Sequence, residues 1–255
     1  MTHQDDFDDP ATDQPVQPTL FLVATPIGNL KDITYRAVET LTAAPVIACE
    51  DTRRARTLLT ALKIPVPRRF IVHAEHTEDR ASEQILSELR DGHHVALITD
   101  AGTPVVSDPG FRAVKAALEA GFNVTVIPGP SAPMTAFAAS AVGGCRYCFL
   151  GFLPKKSAAV RTMLLKYKNY PDALIFFEPA RRMEQTLIAV RDCLGERFVC
   201  VGREMTKRFE EYIRGTASSV IEQIQGRTLK GECTVVVGGR ARNKPMADGE
   251  DGVDV

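Results

Sequence analysis

Three observations predict an α/β fold built from two α/β domains. Short apolar runs alternate with helix-patterned stretches along nearly the whole chain. Polar loops rich in Gly, Pro, Asp and Thr follow most of those runs. A Pro-Gly-Pro-Ser-Ala-Pro segment, 128–133, lies near the middle and reads as a hinge between the halves. The clearest stretch is LITDAGTPVVSDPG, from Leu97 to Gly110. Val95–Ile98 has the unbroken apolar character of a buried parallel strand, and Asp100–Pro104 breaks it as a turn. Ser107 and Asp108 can then cap a helix whose first turn accepts Pro109. Open α/β sheets hold their ligands at such strand–loop–helix junctions. For any one loop, an ordinary βα turn is the alternative.

The elements follow in order. Thr19–Ala24 reads as a first buried strand, ended by TPIGNL (25–30). A helix over 34–43 and a strand Val46–Cys49 come next, and Glu50-Asp51-Thr52-Arg53-Arg54 opens a helix to Leu62. Arg69–His73 is a strand candidate, and Glu78–Arg90 an amphipathic helix with Ile85, Leu86 and Leu89 inward. A helix Phe111–Ala120 and a strand Val124–Ile127 complete the first half. Past the hinge come a small-residue helix Thr135–Val142, a strand Tyr147–Gly151 and a basic helix Lys156–Lys168. Strand Ala173–Phe177, helix Arg181–Leu194 and strand Phe198–Gly202 follow. A strand pair or hairpin around Phe209–Arg214, a helix Ala217–Gln225 and a strand Thr234–Val237 end the ordered pattern. The β-α-β-α alternation predicts a parallel sheet with helices on both faces. The domain spans expected are 19–129 and 130–240, with acidic, disordered tails over 1–18 and 241–255.

Composition narrows the function classes. With 255 residues, 44% of them hydrophobic, the chain can bury a large core. It has no signal-peptide pattern and no apolar run of membrane-spanning length. Six scattered cysteines lack a disulfide framework, which points to a reducing cytoplasm. The net charge of −1 hides an asymmetry: the tails carry −5 and −2, which leaves +6 on the body. A basic body permits a polyanionic partner such as nucleic acid.

Several familiar sites are missing. No G-x-G-x-x-G follows the first strand, and no glycine loop ends in a Walker lysine. Cys145-x-x-Cys148 has no second pair, and His73-Ala74-Glu75-His76 lacks metalloprotease spacing, so no metal site is expected. What remains is a series of polar loops at strand ends: TPIGNL, EDTRR, TDAGTP, PGPSA, GFLPKK, FFEPARR, GREMTK and KGE. So many along one chain suggest a cleft.

VATPIGNLKDIT, IACEDTRR, ITDAGTPVVSDPG, VIPGPSA, GFLPKK and REMTK occur together and in order. This ordered set resembles the tetrapyrrole methylase superfamily over about Thr19–Gly239, nearest to its ribosomal-RNA-modifying branch. The resemblance implies two α/β domains with a cleft between them for S-adenosylmethionine, and a homodimer. It also implies 2'-O-ribose methylation of a cytidine in small-subunit ribosomal RNA, with the assembled subunit as the expected substrate. By the same resemblance, Pro26, Asp100, Gly102, Thr103, Pro104, Val106, Ser131, Ala132, Phe177, Thr206 and Gly231 are cofactor-binding candidates. Glu178, Glu204 and Lys207 are the catalytic candidates, because a neutral ribose hydroxyl needs a base or a charge stabiliser beside it. Glu204 paired structurally with Arg203 or Lys207 is the alternative. Arg53, Arg54, Lys155, Lys156 and Arg161 are the candidate RNA contacts.

Two departures stand out. The family usually reads Phe-Tyr-Glu-Ser-Pro-His-Arg where this chain has FFEPARR (176–182), so a role for that histidine has no bearer here. Many members also carry a small helical domain after the last strand, whereas this chain ends in a short acidic tail. The competing functions are carbon methylation of a tetrapyrrole and a non-catalytic role in ribosome assembly. The basic GFLPKK and the EDTRR stretch favour the RNA-modifying branch.

Overall fold

The computed structural model describes residues 17–240. The tails expected to be disordered lie outside the described residues, apart from Gln17 and Pro18. The chain divides into two compact units. Arg36–Asp100 and Pro109–Ile127 join the chain up to Val23 in the first; Ala24–Tyr35, Ala101–Asp108 and the chain from Pro128 onward form the second.

The first unit holds β1 (Thr19–Val23), β2 (Val46–Cys49), β3 (Arg69–Val72), β4 (Val95–Leu97) and β5 (Asn123–Ile127). Its helices are α1 (Tyr35–Ala43), α2 (Thr52–Ala61), α3 (Glu78–Arg90) and α4 (Phe111–Glu119). The sheet order is β3-β2-β4-β1-β5, and every pairing is parallel, as the alternation predicts. β2 and β4 are buried at every residue, which is why they read as unbroken apolar runs. Helix α3 turns Ile85, Leu86 and Leu89 inward as expected, and it also buries Glu88. Arg68, Arg69 (2.6 Å) and His93 (3.1 Å) surround that carboxylate.

The start of α4 differs from expectation. Ser107 stands at φ +68° and does not cap the helix. Gly110 is the N-cap, and the Glu78 carboxylate accepts from the Gly110 (3.0 Å) and Arg112 (3.2 Å) backbone N–H groups. A carboxylate from a neighbouring helix thus satisfies the first-turn donors that local serine chemistry was expected to serve.

The second unit contains β6 (Tyr147–Phe152), β7 (Ala173–Pro179), β8 (Phe198–Arg203), β9 (Glu211–Thr216) and β10 (Glu232–Val237). Its helices are α5 (Ala132–Ala139), α6 (Ser157–Leu165), α7 (Met183–Leu194) and α8 (Ala217–Ile224). The strand order is β6-β7-β10-β8-β9. Only β6 and β7 run parallel; the β7–β10, β10–β8 and β8–β9 pairings are antiparallel. The parallel sheet expected from the alternation is thus found in the first unit, while the second sheet is mixed and carries the expected hairpin at β8–β9. The link from β8 to β9 is too short for a crossover and folds back as a hairpin. Strand–helix alternation in sequence does not reveal that β10 inserts between β7 and β8.

Side chains alternate across this second sheet. Leu174, Phe176, Cys233, Val235 and Val237 pack against α6, α7 and α8. Ala173, Ile175, Cys200 and Val236 pack on the other face, against Ala136 of α5.

Candidate functional site

Six of the polar loops converge within the second unit, and each has a local reason to be there. Thr25 and Gly102 form an antiparallel bridge, with N–H···O distances of 2.8 and 3.0 Å. Gly102 sits at φ +90°, a conformation that favours glycine. The Thr103 hydroxyl donates to the Pro130 carbonyl at 3.3 Å, which ties TDAGTP to PGPSA. Val105 at φ +75° and Ser107 at φ +68° lie in the same loop. A β-branched residue in the left-handed region is strained by about 1–3 kcal/mol, and strain of this kind clusters at ligand-binding sites. Pro104 is buried beneath the loop, while Val106 is exposed at 43%. Ser131 caps α5 without a side-chain hydrogen bond, and Pro133 carries no N–H, so Ala132 and Met134 hold the N–H donors of the first turn. Pro26 is half-buried in the loop after β1.

The REMTK turn is the most tightly set part. Glu204 (φ +48°) and Thr206 (φ +64°) both adopt left-handed backbone. The Thr206 hydroxyl accepts from the Asn29 N–H at 3.1 Å, and the Thr206 N–H donates to Glu210 at 2.6 Å. A Cβ on Gly28 would stand 2.5 Å from Lys207 Cγ and 2.7 Å from Thr206 Oγ1, so only glycine lets the TPIGNL loop approach this turn. Gly231 (φ +95°) does the same for the KGE loop: a Cβ there would lie 2.6 Å from Glu204 Cδ.

Glu204 and Lys207 form an ion pair at 3.0 Å. Glu204 Oε1 accepts from Lys207 Nζ and also from the Glu232 N–H (3.1 Å). Lys207 Nζ reaches the exposed Glu232 carboxylate as well, at 3.3 Å. Burial pushes the Glu204 pKa up, but the Glu232 N–H and Lys207 outweigh it and hold the carboxyl below its ordinary value. Burial works against the Lys207 charge, yet Glu204 and Glu232 raise its pKa above the ordinary value. At neutral pH the pair is therefore carboxylate and ammonium.

The third catalytic candidate is placed differently. Phe177 and Glu178 are neighbours on β7 and point to opposite faces. Phe177 packs against Phe149 and Phe152, while Glu178 is 1% exposed on the α7 side. Arg182 pairs with Glu178 at 2.9 Å and donates to the Pro154 carbonyl at 2.7 Å. In FFEPARR the glutamate and final arginine thus fix the GFLPKK loop, and Ala180 is buried where the family has proline. Burial raises the Glu178 pKa, and Arg182 opposes that rise. Arg182→Ala is expected to cost about 3 kcal/mol at pH 7, because it strands a buried carboxylate. A raised folded-state pKa favours the fold below the unfolded value and loses that contribution as pH rises. Urea unfolding should therefore show a smaller loss at pH 5 than at pH 7; equal losses would assign the effect to packing alone.

Among the RNA candidates, Lys155 and Lys156 are exposed at the start of α6. Arg161 is ion-paired with Asp192 at 2.9 Å. The remaining candidates belong to the first unit, at the carboxyl ends of its parallel strands. Arg53 pairs with Asp51, the cap of α2, at 2.9 Å. Arg54 pairs with Asp100 at 2.6 Å, and Glu50 accepts from Thr99 (2.6 Å) and the Asp100 N–H (3.3 Å). His73 is buried, and burial lowers its pKa so that the imidazole is neutral. Among the described residues, no group of three or more His, Cys, Asp or Glu is arranged to hold a metal ion. All six cysteines are free thiols. Among the described residues, no helix is long and apolar enough to cross a membrane.

Comparison with known proteins gives the class. Residues 19–221 match the family of Tetrapyrrole (Corrin/Porphyrin) Methylases, and the chain belongs to that family. A uroporphyrin-III C-methyltransferase from Thermus thermophilus, solved with S-adenosyl homocysteine, shares the fold. Its TM-score is 0.60 at 16% identity, covering 86% of this chain and 97% of that one. The more similar relatives are narrower in kind. A ribosomal RNA small subunit methyltransferase I from Mesorhizobium japonicum is 47% identical over 88% of this chain and 76% of its own length. A second of that name, from Halalkalibacterium halodurans, is 39% identical over 89% and 78%.

The converging loops suit an S-adenosyl ligand. Thr103, Ser131 and Thr206 offer hydroxyls, the α5 start offers N–H groups, and Val106 and Phe177 offer apolar walls. Such a mixed lining fits a ligand with a charged amino-acid end and a flat aromatic end.

Proposed function

We propose that this protein is an S-adenosylmethionine-dependent ribosomal RNA methyltransferase that methylates a cytidine 2'-hydroxyl in the small subunit. The observation that carries this reading is its likeness, over most of the chain, to relatives named ribosomal RNA small subunit methyltransferase I. A cytoplasmic homodimer acting on the assembled subunit belongs to the same proposal.

When bound, S-adenosylmethionine supplies an electrophilic methyl group on a sulfonium, and the C–S electron pair stays with sulfur. The residues of the chain do the rest. Gly102, Thr103, Pro104, Val106, Ser131, Ala132, Phe177 and Gly231 line or shape the cofactor-binding loops, with Pro26, Asp100 and Thr206 at their margins. Aligning the hydroxyl with the methyl at about 3–3.5 Å is the largest requirement, and rigid loops meet it. As the ribose oxygen bonds to carbon, its proton must leave. Glu204 is the acceptor: Lys207 and the Glu232 N–H both hold Oε1, which directs Oε2 to the proton. Lys207 remains a cation and favours the developing alkoxide character of the oxygen. Glu178, on the far face of β7, is a positioning residue acting through Arg182.

Lys155 and Lys156 supply phosphate contacts. The double variant Lys155→Ala/Lys156→Ala is expected to flatten the log–log salt dependence of RNA affinity by ~1.4–1.8, the release of about one counterion per lysine. An unchanged slope would remove both lysines from the interface. The reading as a whole is tested by incubating the protein with labelled S-adenosylmethionine and unmodified small subunits. Label should enter RNA. Cofactor binding with label found only on an added tetrapyrrole would replace this reading with carbon methylation.

A further inference from the structure

Phe152 stands where strand β6 breaks register, and its role rests on the RNA methyltransferase reading. Strand β6 pairs with β7 in register up to Phe149↔Ile175, and the next pair is Phe152↔Phe177. Three residues on β6 thus oppose two on β7, which is a β-bulge. Gly151 accommodates it at φ +64°, and a Cβ there would be only 3.0 Å from Ser107 Oγ. Without the extra residue Gly151 would face Phe177, and Phe152 would turn to the other side of the sheet. The bulge instead brings Phe149 and Phe152 onto the same face, each with its ring centroid 5.1 Å from that of Phe177. Bulges re-aim side chains of this kind beside active sites.

The aim is outward. Phe152 is 63% exposed although it lies against a half-buried aromatic wall. Leu153, the next residue, is buried at 5%, and the Pro154 carbonyl is held by Arg182. The exposed ring is therefore fixed from behind and is not a loose surface side chain. Lys155 and Lys156, both exposed, follow Phe152 after Leu153 and Pro154, so an exposed aromatic ring and two cations lie within five residues of one another. Aromatic faces next to lysines are how proteins hold unstacked nucleobases of single-stranded RNA.

We propose that Phe152 stacks on a nucleobase of the RNA substrate, the acceptor nucleotide or its immediate neighbour, and so places the ribose hydroxyl beside Glu204. Stacking of this type is worth ~1–3 kcal/mol per base by alanine substitution. Phe152→Ala is accordingly expected to lower kcat/KM for small subunits by about 5- to 150-fold. Affinity for S-adenosylmethionine, measured by calorimetry, should change less than about twofold. Phe152→Trp should retain activity, whereas Phe152→Leu, apolar but not flat, should not. A wild type that methylates RNA while Phe152→Ala matches it would overturn the inference alone. Loss of cofactor affinity in Phe152→Ala would make the ring a cofactor wall and would also overturn it. A wild type that methylates no RNA would overturn the functional reading, and this inference with it.

Discussion

Lys207→Met is expected to lower the turnover number by about 10²–10³-fold, the usual loss when a charge stabiliser is removed from a reacting oxygen. Methionine keeps most of the length and apolar volume of the stem, so the packing over Gly28 survives. What disappears is the ammonium that holds Glu204 Oε1 at 3.0 Å and, together with the Glu232 N–H, keeps the carboxyl below its ordinary pKa. Without it the Glu204 pKa rises, and the acid limb of the pH–rate profile should move to higher pH. Glu204→Gln should remove that limb. Cofactor affinity should stay near the wild-type value in both variants. A Lys207→Met enzyme with unchanged kcat and an unshifted acid limb would make the pair structural.

Gly231→Val is expected to be nearly as damaging, for two separable reasons. The residue stands at φ +95°, where a β-branched side chain is strained by about 1–3 kcal/mol. A Cβ would also lie 2.6 Å from Glu204 Cδ and 2.8 Å from Glu204 Cγ, so the carboxylate must leave its place. A displacement near 1 Å costs about 10²-fold in rate. Gly226→Val separates the two effects. Gly226 has φ +73° with nothing within 4 Å of a Cβ, so that variant should lose stability without losing kcat. Equal activity losses in both variants would place the effect in folding rather than in Glu204.

Much of this was legible in the sequence because it is local. Apolar runs such as Val46–Cys49 and Val95–Leu97 are strands buried on both faces, and no other pattern competes with that reading. The loops that converge in the second unit were visible as Gly- and Pro-containing breaks after those runs. What sequence could not supply is the pairing. The insertion of β10 between β7 and β8 depends on contacts far apart in the chain, whereas the β8–β9 hairpin is local and was legible as a strand pair or hairpin. Ser107 and Asp108 are good local candidates to cap α4, yet Gly110 is the N-cap. The donor satisfied in their place is served by Glu78, some thirty residues away. Face is legible along an unbroken strand and lost across a bulge. Glu178 and Phe177 are adjacent in the motif yet point to opposite sides, and Phe152 gains its position only through the register shift at Gly151. A glycine between apolar residues of a strand was the one available signal.

Locating the transferred methyl group distinguishes a ribose acceptor from a base. Small subunits lacking the modification are labelled with the protein and methyl-labelled S-adenosylmethionine, and the extracted RNA is hydrolysed in alkali. A 2'-O-methyl group removes the hydroxyl that drives cleavage, so its linkage survives as a dinucleotide. The expected result is label in a single alkali-resistant dinucleotide that begins with cytidine. Label released in mononucleotides would put the methyl on a base and contradict the assignment of a ribose hydroxyl beside Glu204.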